Sequence, residues 1–578
     1  MKAIYTQAIM LIAFAAIFSS CKKSYLQDGS LAEGPITAEQ TWANDQYARG
    51  ILNNAYFSVQ DRFDLDGNGA MQASGSDEAI NSNLNSTINI FNNGTWSPVR
   101  TVDERYNELY EGLRKVNLFL ANAATSGIVS NVAELATSTP TDFQRSREGQ
   151  IARLKGEAFF LRAWFHFDLV QRYGSTVLAT RVFDREEDLN LPRNTFEECV
   201  NQILLDCDSA IAALPAWQQS YATSQRGRAT QTAAMALKSR MLLYAASPQY
   251  NPGGDLAKWQ RAADAAKALI NFSTTNNYHK LFTSYTGVFL FGANPYNVES
   301  IFTTQTPNRS DIEINNAPVS YDGALGRTNP TQELVDAFEM KATGKAISTV
   351  GSTYSETAPY TGRDPRLGFV IAYNGATFKS KVVETFIGGK DGIGANVNAT
   401  KTGYYMRKFM NENAVNWNTS SPSTSRRPWV IFRYAEILLN YAEALNEAQG
   451  PVADVYTYIN QIRARTGVVL PALQSSNANG NGYVPATKEA MRLRIQNERR
   501  IELCFEGHRF YDVRRWKKGE ELFNKPITGM RITSSLTGTF TYERFQVENR
   551  VFSSKNYLYP ISQSNLNRAP ALLQNPGY

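Results

Sequence analysis

Lys155-Gly-Glu-Ala-Phe-Phe-Leu-Arg-Ala-Trp-Phe-His-Phe-Asp-Leu-Val-Gln-Arg-Tyr-Gly174 is the stretch on which the fold turns. Ala158, Leu161, Phe165 and Leu169 line one stripe of a helix, and Phe160, Trp164 and Phe167 line another. A helix apolar on two faces is sandwiched between neighbours rather than laid on a surface. Gly174, directly after Arg172-Tyr173, supplies its C-cap. The same periodicity predicts helices near 39–58, 103–122, 147–173, 194–214, 228–246 and 256–271, with Ser247-Pro248 stopping the fifth of these. Helical patterning returns at 431–448, breaks at Gly450-Pro451, resumes at 452–466 and closes with a strong helix over 487–508. The hairpin from 431 to 466 is about the size of a tetratricopeptide unit of ~34 residues, although the glycine expected in the first helix of that repeat is absent.

Two regions escape this pattern. Residues 275–430 are rich in Gly, Asn, Ser, Thr and Tyr, with one short helix after Asn329-Pro330-Thr331. The tail from 525 is similar, and its alternating Thr539-Phe540-Thr541-Tyr542 predicts a strand. Long irregular stretches inside a folded chain are usually functional. The fold class expected is therefore mostly α: a tetratricopeptide-like helical repeat scaffold, with helix pairs in 39–271 and 431–508. It carries a large loop-rich, ligand-binding insertion (275–430) and a few short strands.

The amino terminus sets the compartment. Lys2 precedes the apolar run Ala8–Phe18, too short to span a bilayer at ~20 residues but suited to a signal peptide. Ser19-Ser20-Cys21 follows, so residues 1–20 read as a lipoprotein signal peptide. Cys21 is then the lipidation site and 21–38 the tether of a single domain, 39–578. Phe18 stands where a lipobox usually has leucine. Cys199 and Cys207 are eight apart in a helical stretch, about 12 Å at 1.5 Å per residue, too far to bridge. With Cys504 they read as buried free thiols.

Composition narrows the chemistry. Lys+Arg is 59 and Asp+Glu 53 over 578 residues, a net charge of +6. That excess is weak for such a length and argues against a nucleic-acid binder. The three histidines, His166, His279 and His508, have no ligand-like spacing, which excludes a histidine-rich metal centre. No Gly-x-Ser-x-Gly elbow, Walker loop or His-Glu-x-x-His sequence occurs. Glu498, Glu502 and Glu506 recur at i+4, but Arg494, Arg499 and Arg509 lie three or four residues from them. A structural ion-pair network is the expectation there, not acid–base catalysis. Asp64-Leu-Asp66-Gly-Asn68-Gly69 opens like a calcium loop, but Gly75 stands where the bidentate Glu belongs. Asp64, Asp66 and Asn68 remain a weak candidate for a structural calcium site completed by Asp77 or Glu78, and no other cofactor is expected.

Aromatic residues reach 12%, and some sit in polar loops where sugar rings stack on aromatic faces and amides satisfy hydroxyls. Asn93 and Trp96, Tyr285 with its neighbours Phe289 and Phe291, Tyr296, Tyr321, and Trp417-Asn418 are the positions so placed. Asn93, Trp96, Tyr285, Tyr296 and Tyr321 are the candidate ligand-binding residues.

Several stretches resemble the SusD/RagB family of outer-membrane nutrient-binding lipoproteins. They are Lys155–Gly174, Asp364-Pro-Arg-Leu367, Phe432–Asn446, Glu498–Trp516, Tyr557-Leu-Tyr-Pro-Ile-Ser-Gln-Ser564 and Gln574-Asn-Pro-Gly-Tyr578, together with Cys21. The resemblance implies about four tetratricopeptide-like helix pairs with a variable loop-rich face. It also implies a non-catalytic protein, lipid-anchored in the outer membrane through Cys21 and facing the extracellular side. Such a protein captures oligosaccharide and delivers it to a SusC-like TonB-dependent transporter. The matching stretches are fold signatures and assign no ligand residue. The alternatives are an all-α glycoside hydrolase, which needs two carboxylates across a cleft, and a repeat scaffold that binds proteins or peptides.

Overall fold

The computed structural model describes residues 36–183, 186–290, 296–304, 308–414 and 423–578. Cys21 and the leader lie outside these, as do Phe291, Trp417 and Asn418. The long helices follow the periodicity. The predicted span 39–58 divides into α1 (Ala38–Ala43) and α2 (Asp45–Tyr56), because the Asn44 side chain between them accepts from the Tyr47 amide and starts a new helix. Next come α3 (Tyr106–Asn122), α4 (Arg147–Tyr173), α5 (Phe196–Ala213), α6 (Gln231–Ala246) and α7 (Leu256–Asn276). The carboxyl-terminal part adds α8 (Tyr434–Gln449), α9 (Ala453–Arg463), α10 (Lys488–Glu502) and α11 (His508–Arg515). Gly174 caps α4 at φ +80°, and Thr195 and Glu198 cap α5 reciprocally.

From α2 to α8 each of these helices packs on the next, and α9 and α10 both pack on α8. The array is unbroken even though residues 277–433 intervene between α7 and α8. Those residues leave the stack and return to it, and their ends are held together where Ser300–Thr303 pairs antiparallel with Val430–Arg433. That strand occupies the start of the predicted 431–448 helix, so α8 begins only at Tyr434. Both stripes of α4 are buried, and close approach is built in at Gly112 of α3, where an added Cβ would lie 2.8 Å from the Phe165 ring. The predicted tail strand is Phe540–Glu548, paired with Ile527–Ser534 in an antiparallel hairpin. Cys199, Cys207 and Cys504 are buried and free; burial pushes the Cys199 thiol up to about 11.

The predicted helix 487–508 is corrected in its second half. α10 ends at Glu502, Phe505 (φ +63°) and Gly507 (φ +79°) turn the chain, and α11 begins at His508. The local ion pairs expected along it are corrected as well. Glu498 binds Arg366 and Arg463, Glu502 binds Arg366, Arg433 and Arg465, and Glu506 binds Arg433 and Lys408. Arg494, Arg499 and Arg509 pair instead with Glu339, Asp512 and Asp77. The network is structural, as expected, but it joins the insertion to the scaffold rather than bracing one helix. Burial alone would raise the Glu502 carboxyl; Arg465, Arg433 and Arg366 hold it well below the usual carboxylate range. The basic cluster of α11 is likewise interior: Arg515 binds Glu443 and Arg514 lies 3.5 Å over the Phe510 ring.

Candidate functional site

The loop aromatics separate into buried and reachable rings. Trp96 is 1% exposed, packed edge-on against Phe91 (4.8 Å) and Tyr559 (4.7 Å) with Tyr578 at 6.2 Å. Its expected role as a ligand platform is corrected, because the carboxyl-terminal segments Tyr557–Ser564 and Gln574–Tyr578 close over it. Tyr296 is fully buried, its hydroxyl accepting from Thr303 Oγ1 at 3.2 Å, and its expected ligand contact is corrected because the ring has no exposed face. Asn93 is exposed, but its Oδ1 accepts from the amide and hydroxyl of Thr95, so it shapes its own turn. Tyr321 stays half-exposed, its hydroxyl donating to the Phe378 carbonyl and Lys381 lying 4.9 Å over its ring.

Tyr285 is the predicted residue that borders a cleft. This cleft, of about 420 Å³, lies within the insertion and is lined by Tyr285, Phe289, Phe369, Arg407, Glu412 and Asn413 among others. Tyr285 itself is 2% exposed. Its hydroxyl donates inward to the Glu502 carbonyl (2.9 Å) and receives Lys408 Nζ at 3.1 Å. Lys408 also bonds Glu506 and the Cys504 carbonyl, and lies 4.7 Å over Phe289. Tyr285 is therefore the floor and not the contact, which corrects the expectation that its ring meets ligand.

The reachable ring is Phe369, half-exposed and stacked over Tyr285 (6.1 Å between centroids, 25° between planes). It sits on the one-turn helix Arg366–Val370, which Arg366 pins to Glu498 and Glu502. Beside it, Arg407 Nε meets Glu412 Oε1 at 2.7 Å and Arg407 Nη1 donates to the Gly368 carbonyl at 3.0 Å. Glu412 also accepts from the Lys379 amide (2.9 Å), and Asn413 is exposed at the rim. The cleft thus sets an aromatic face beside a guanidinium and a carboxylate held by their own bonds, with an exposed amide at the rim, groups able to meet an apolar ring face and its polar edges. Sequence reasoning missed Phe369, although it stands two residues after the Asp364–Leu367 signature.

A larger and more aliphatic groove, of about 730 Å³, lies on the scaffold between α3 and the short helix Gln563–Arg568, with Tyr106, Tyr110, Leu189 and Leu191 in its wall. The calcium reading is corrected in one respect. Asp77 is held by Arg500 and Arg509, and Glu78 is buried, so neither completes the 64–68 loop. The loop oxygens turn to their own backbone: Asp64 Oδ1 accepts from the Asp66 amide, and Asp66 Oδ1 from those of Asn68 and Ala70. Among the described residues no group of three His, Cys, Asp or Glu is arranged to hold a metal ion. Nor is any described helix long and apolar enough to cross a membrane.

Comparison with known proteins agrees with this architecture. The profile described as the SusD family matches residues 291–578, and one described as starch-binding associating with outer membrane matches residues 45–243. A SusD-like protein, P25 of Formosa agariphila, is 23% identical over 435 residues, covering 72% of this chain and 70% of its own. A SusD-like protein of Bacteroides fragilis superposes with a TM-score of 0.76 at 28% identity, over 94% of this chain and all of its own. A laminarin-binding SusD-like protein superposes at 0.63 with 22% identity, over 93% of this chain and all of its own, a likeness of fold.

Proposed function

Because the chain belongs to the SusD/RagB family, we propose that it is a non-catalytic glycan-binding lipoprotein that captures oligosaccharide outside the cell. Cys21 carries the lipid that ties it to the outer membrane, and a SusC-like TonB-dependent transporter takes the ligand from it. The observation that carries the binding reading is the half-exposed Phe369 ring in a cleft edged by Arg407, Glu412 and Asn413. The lining of that cleft holds one carboxylate, Glu412, already tied to Arg407, whereas glycoside hydrolysis uses two. That favours binding over the hydrolase alternative. Affinity at such an open stacking site is modest, and engagement with the transporter raises the effective concentration.

A glycan array with the mature protein identifies the ligand, and calorimetry with Phe369→Ala tests the cleft. Binding unchanged in that variant removes the cleft, and release of reducing ends from a bound oligosaccharide removes the non-catalytic reading. Cys21→Ala should abolish acylation and release the protein from membranes. Capture of a large barrel from detergent-solubilised membranes by the wild type tests the transporter partner.

A further inference from the structure

The charges that line the Phe369 cleft are matched within the protein. Three lining residues carry charge, Arg407, Lys408 and Glu412. Lys408 is 2% exposed and bound to Glu506, so it belongs to the floor. Arg407 and Glu412 keep 25% and 28% of their side chains exposed and meet each other at 2.7 Å. Behind Phe409, Arg427 donates to the Phe409 carbonyl and pairs with Glu313, and Lys379 turns its Nζ to the Ala414 carbonyl. The segments that follow Leu290 and Ala414 in the chain, 291–295 and 415–422, contain no charged residue.

The exposed pair is fixed at both ends. Glu412 Oε1 takes Arg407 Nε and its Oε2 takes the Lys379 amide at 2.9 Å, while Arg407 Nη1 is held by the Gly368 carbonyl at 3.0 Å. A lone guanidinium beside an aromatic ring selects an anion. With a carboxylate 2.7 Å away it becomes one end of a dipole, which suits hydroxyl groups, since these both donate and accept. A sugar carboxylate or sulfate brought to Arg407 meets Glu412 as a like charge, an arrangement that rejects a ligand rather than recruits one.

We propose that Glu412 determines the specificity of this cleft: by matching Arg407 it admits an uncharged oligosaccharide and turns away one that carries carboxylate or sulfate groups. The proposal rests on the glycan-binding reading of the Phe369 cleft and names the class of sugar. The net charge of +6 favours an acidic ligand at long range, but with a Debye length of about 8 Å the pair inside the cleft decides.

The test is an array of matched oligosaccharide pairs, each a neutral glycan and its C6-oxidised, carboxylate form, followed by calorimetry on the pairs that bind. The neutral member should bind the mature wild type about tenfold more tightly than the oxidised one. Glu412→Gln keeps an acceptor for Arg407 Nε and for the Lys379 amide but removes the charge. It should tighten the oxidised member about fivefold, a gain lost as salt is raised, and change the neutral member by less than about twofold. Adding Arg407→Gln to that variant should abolish the gain, whereas Glu412→Asp, which keeps the charge, should keep the wild-type preference. Oxidised members that bind the wild type as tightly as neutral ones, or a preference that survives in Glu412→Gln, would overturn the proposal. Phe369→Ala tells the two failures apart. Pairs that need Phe369 but bind without regard to charge refute the selectivity alone; no Phe369-dependent binding by any pair removes the cleft as a glycan site, and the proposal with it.

Discussion

Arg366 Nη1 and Glu498 Oε1 lie 2.7 Å apart although 132 positions separate them in the chain. The same guanidinium nitrogen reaches Glu502, and Arg366 Nη2 binds Asp364, all fully buried. This residue joins the loop-rich insertion to α10 and thereby orients the turn that bears Phe369.

Removing one partner of a buried ion pair strands the others. Arg366→Ala should cost about 3–5 kcal/mol in urea denaturation. Arg531→Ala, which breaks an exposed pair with Glu543, should cost no more than ~0.5 kcal/mol. Similar losses for the two would show that the buried network is not what fastens the insertion.

Glu78 gives the opposite sign. Burial, and then the neighbouring Asp77 carboxylate, raise its carboxyl from 4.5 to about 8. Between those values the folded state keeps a proton that the unfolded chain has lost, so stability falls as pH rises through that window. Glu78→Gln keeps an acceptor for the Phe505 amide and removes the titration. The variant should be more stable than the wild type by on the order of 2–4 kcal/mol at pH 8, and near parity at pH 4.5. A difference independent of pH would refute the assignment.

Buried histidines act at the acid side. Burial lowers His166 to about 3 and His279 to about 4 from an ordinary 6.5. The unfolded chain therefore binds protons first, and their contribution is complete above pH 6.5 and lost as pH falls toward 4 and then 3. In the Glu78→Gln background, which removes the opposing carboxyl titration, denaturation midpoints should decline from pH 7 to pH 4, and His279→Asn should flatten part of that slope. An unaltered slope would exclude His279 as a contributor.

Two aromatic substitutions separate packing from binding. Trp96→Ala should destabilise the fold by about 3–5 kcal/mol, the cost of emptying a buried aromatic site. Phe369→Ala should leave the melting temperature nearly unchanged and weaken glycan binding roughly tenfold, about 1.4 kcal/mol. The reverse pattern would return Trp96 to the ligand.

Added calcium should shift the melting temperature by less than about 1 °C, since a ligand stabilises only through binding the folded state. A larger, chelator-reversible shift would establish a site at Asp64, Asp66 and Asn68.

The sequence by itself determined the scaffold. The stripes of 155–173, the cap Gly174 and the breaks at Pro248 and Gly450 are local signals, and each helix obeys them. The free, buried cysteines were legible too; the Glu498–Glu506 cluster is structural as expected, but through cations distant in the chain and not the local pairs that suggested it. What only the tertiary structure decided is who meets whom across long stretches of chain. Trp96 stands in a polar loop and Phe369 in the apolar run Leu367–Ala372, yet it is Phe369 that is reachable, so the local setting does not tell which ring is exposed. Tyr559 and Tyr578, more than 450 positions on, bury the first, while Arg366 fixes the turn that leaves the second half-exposed in its cleft. Helix periodicity is written in neighbours three and four residues apart, whereas exposure depends on contacts that only the folded chain assembles.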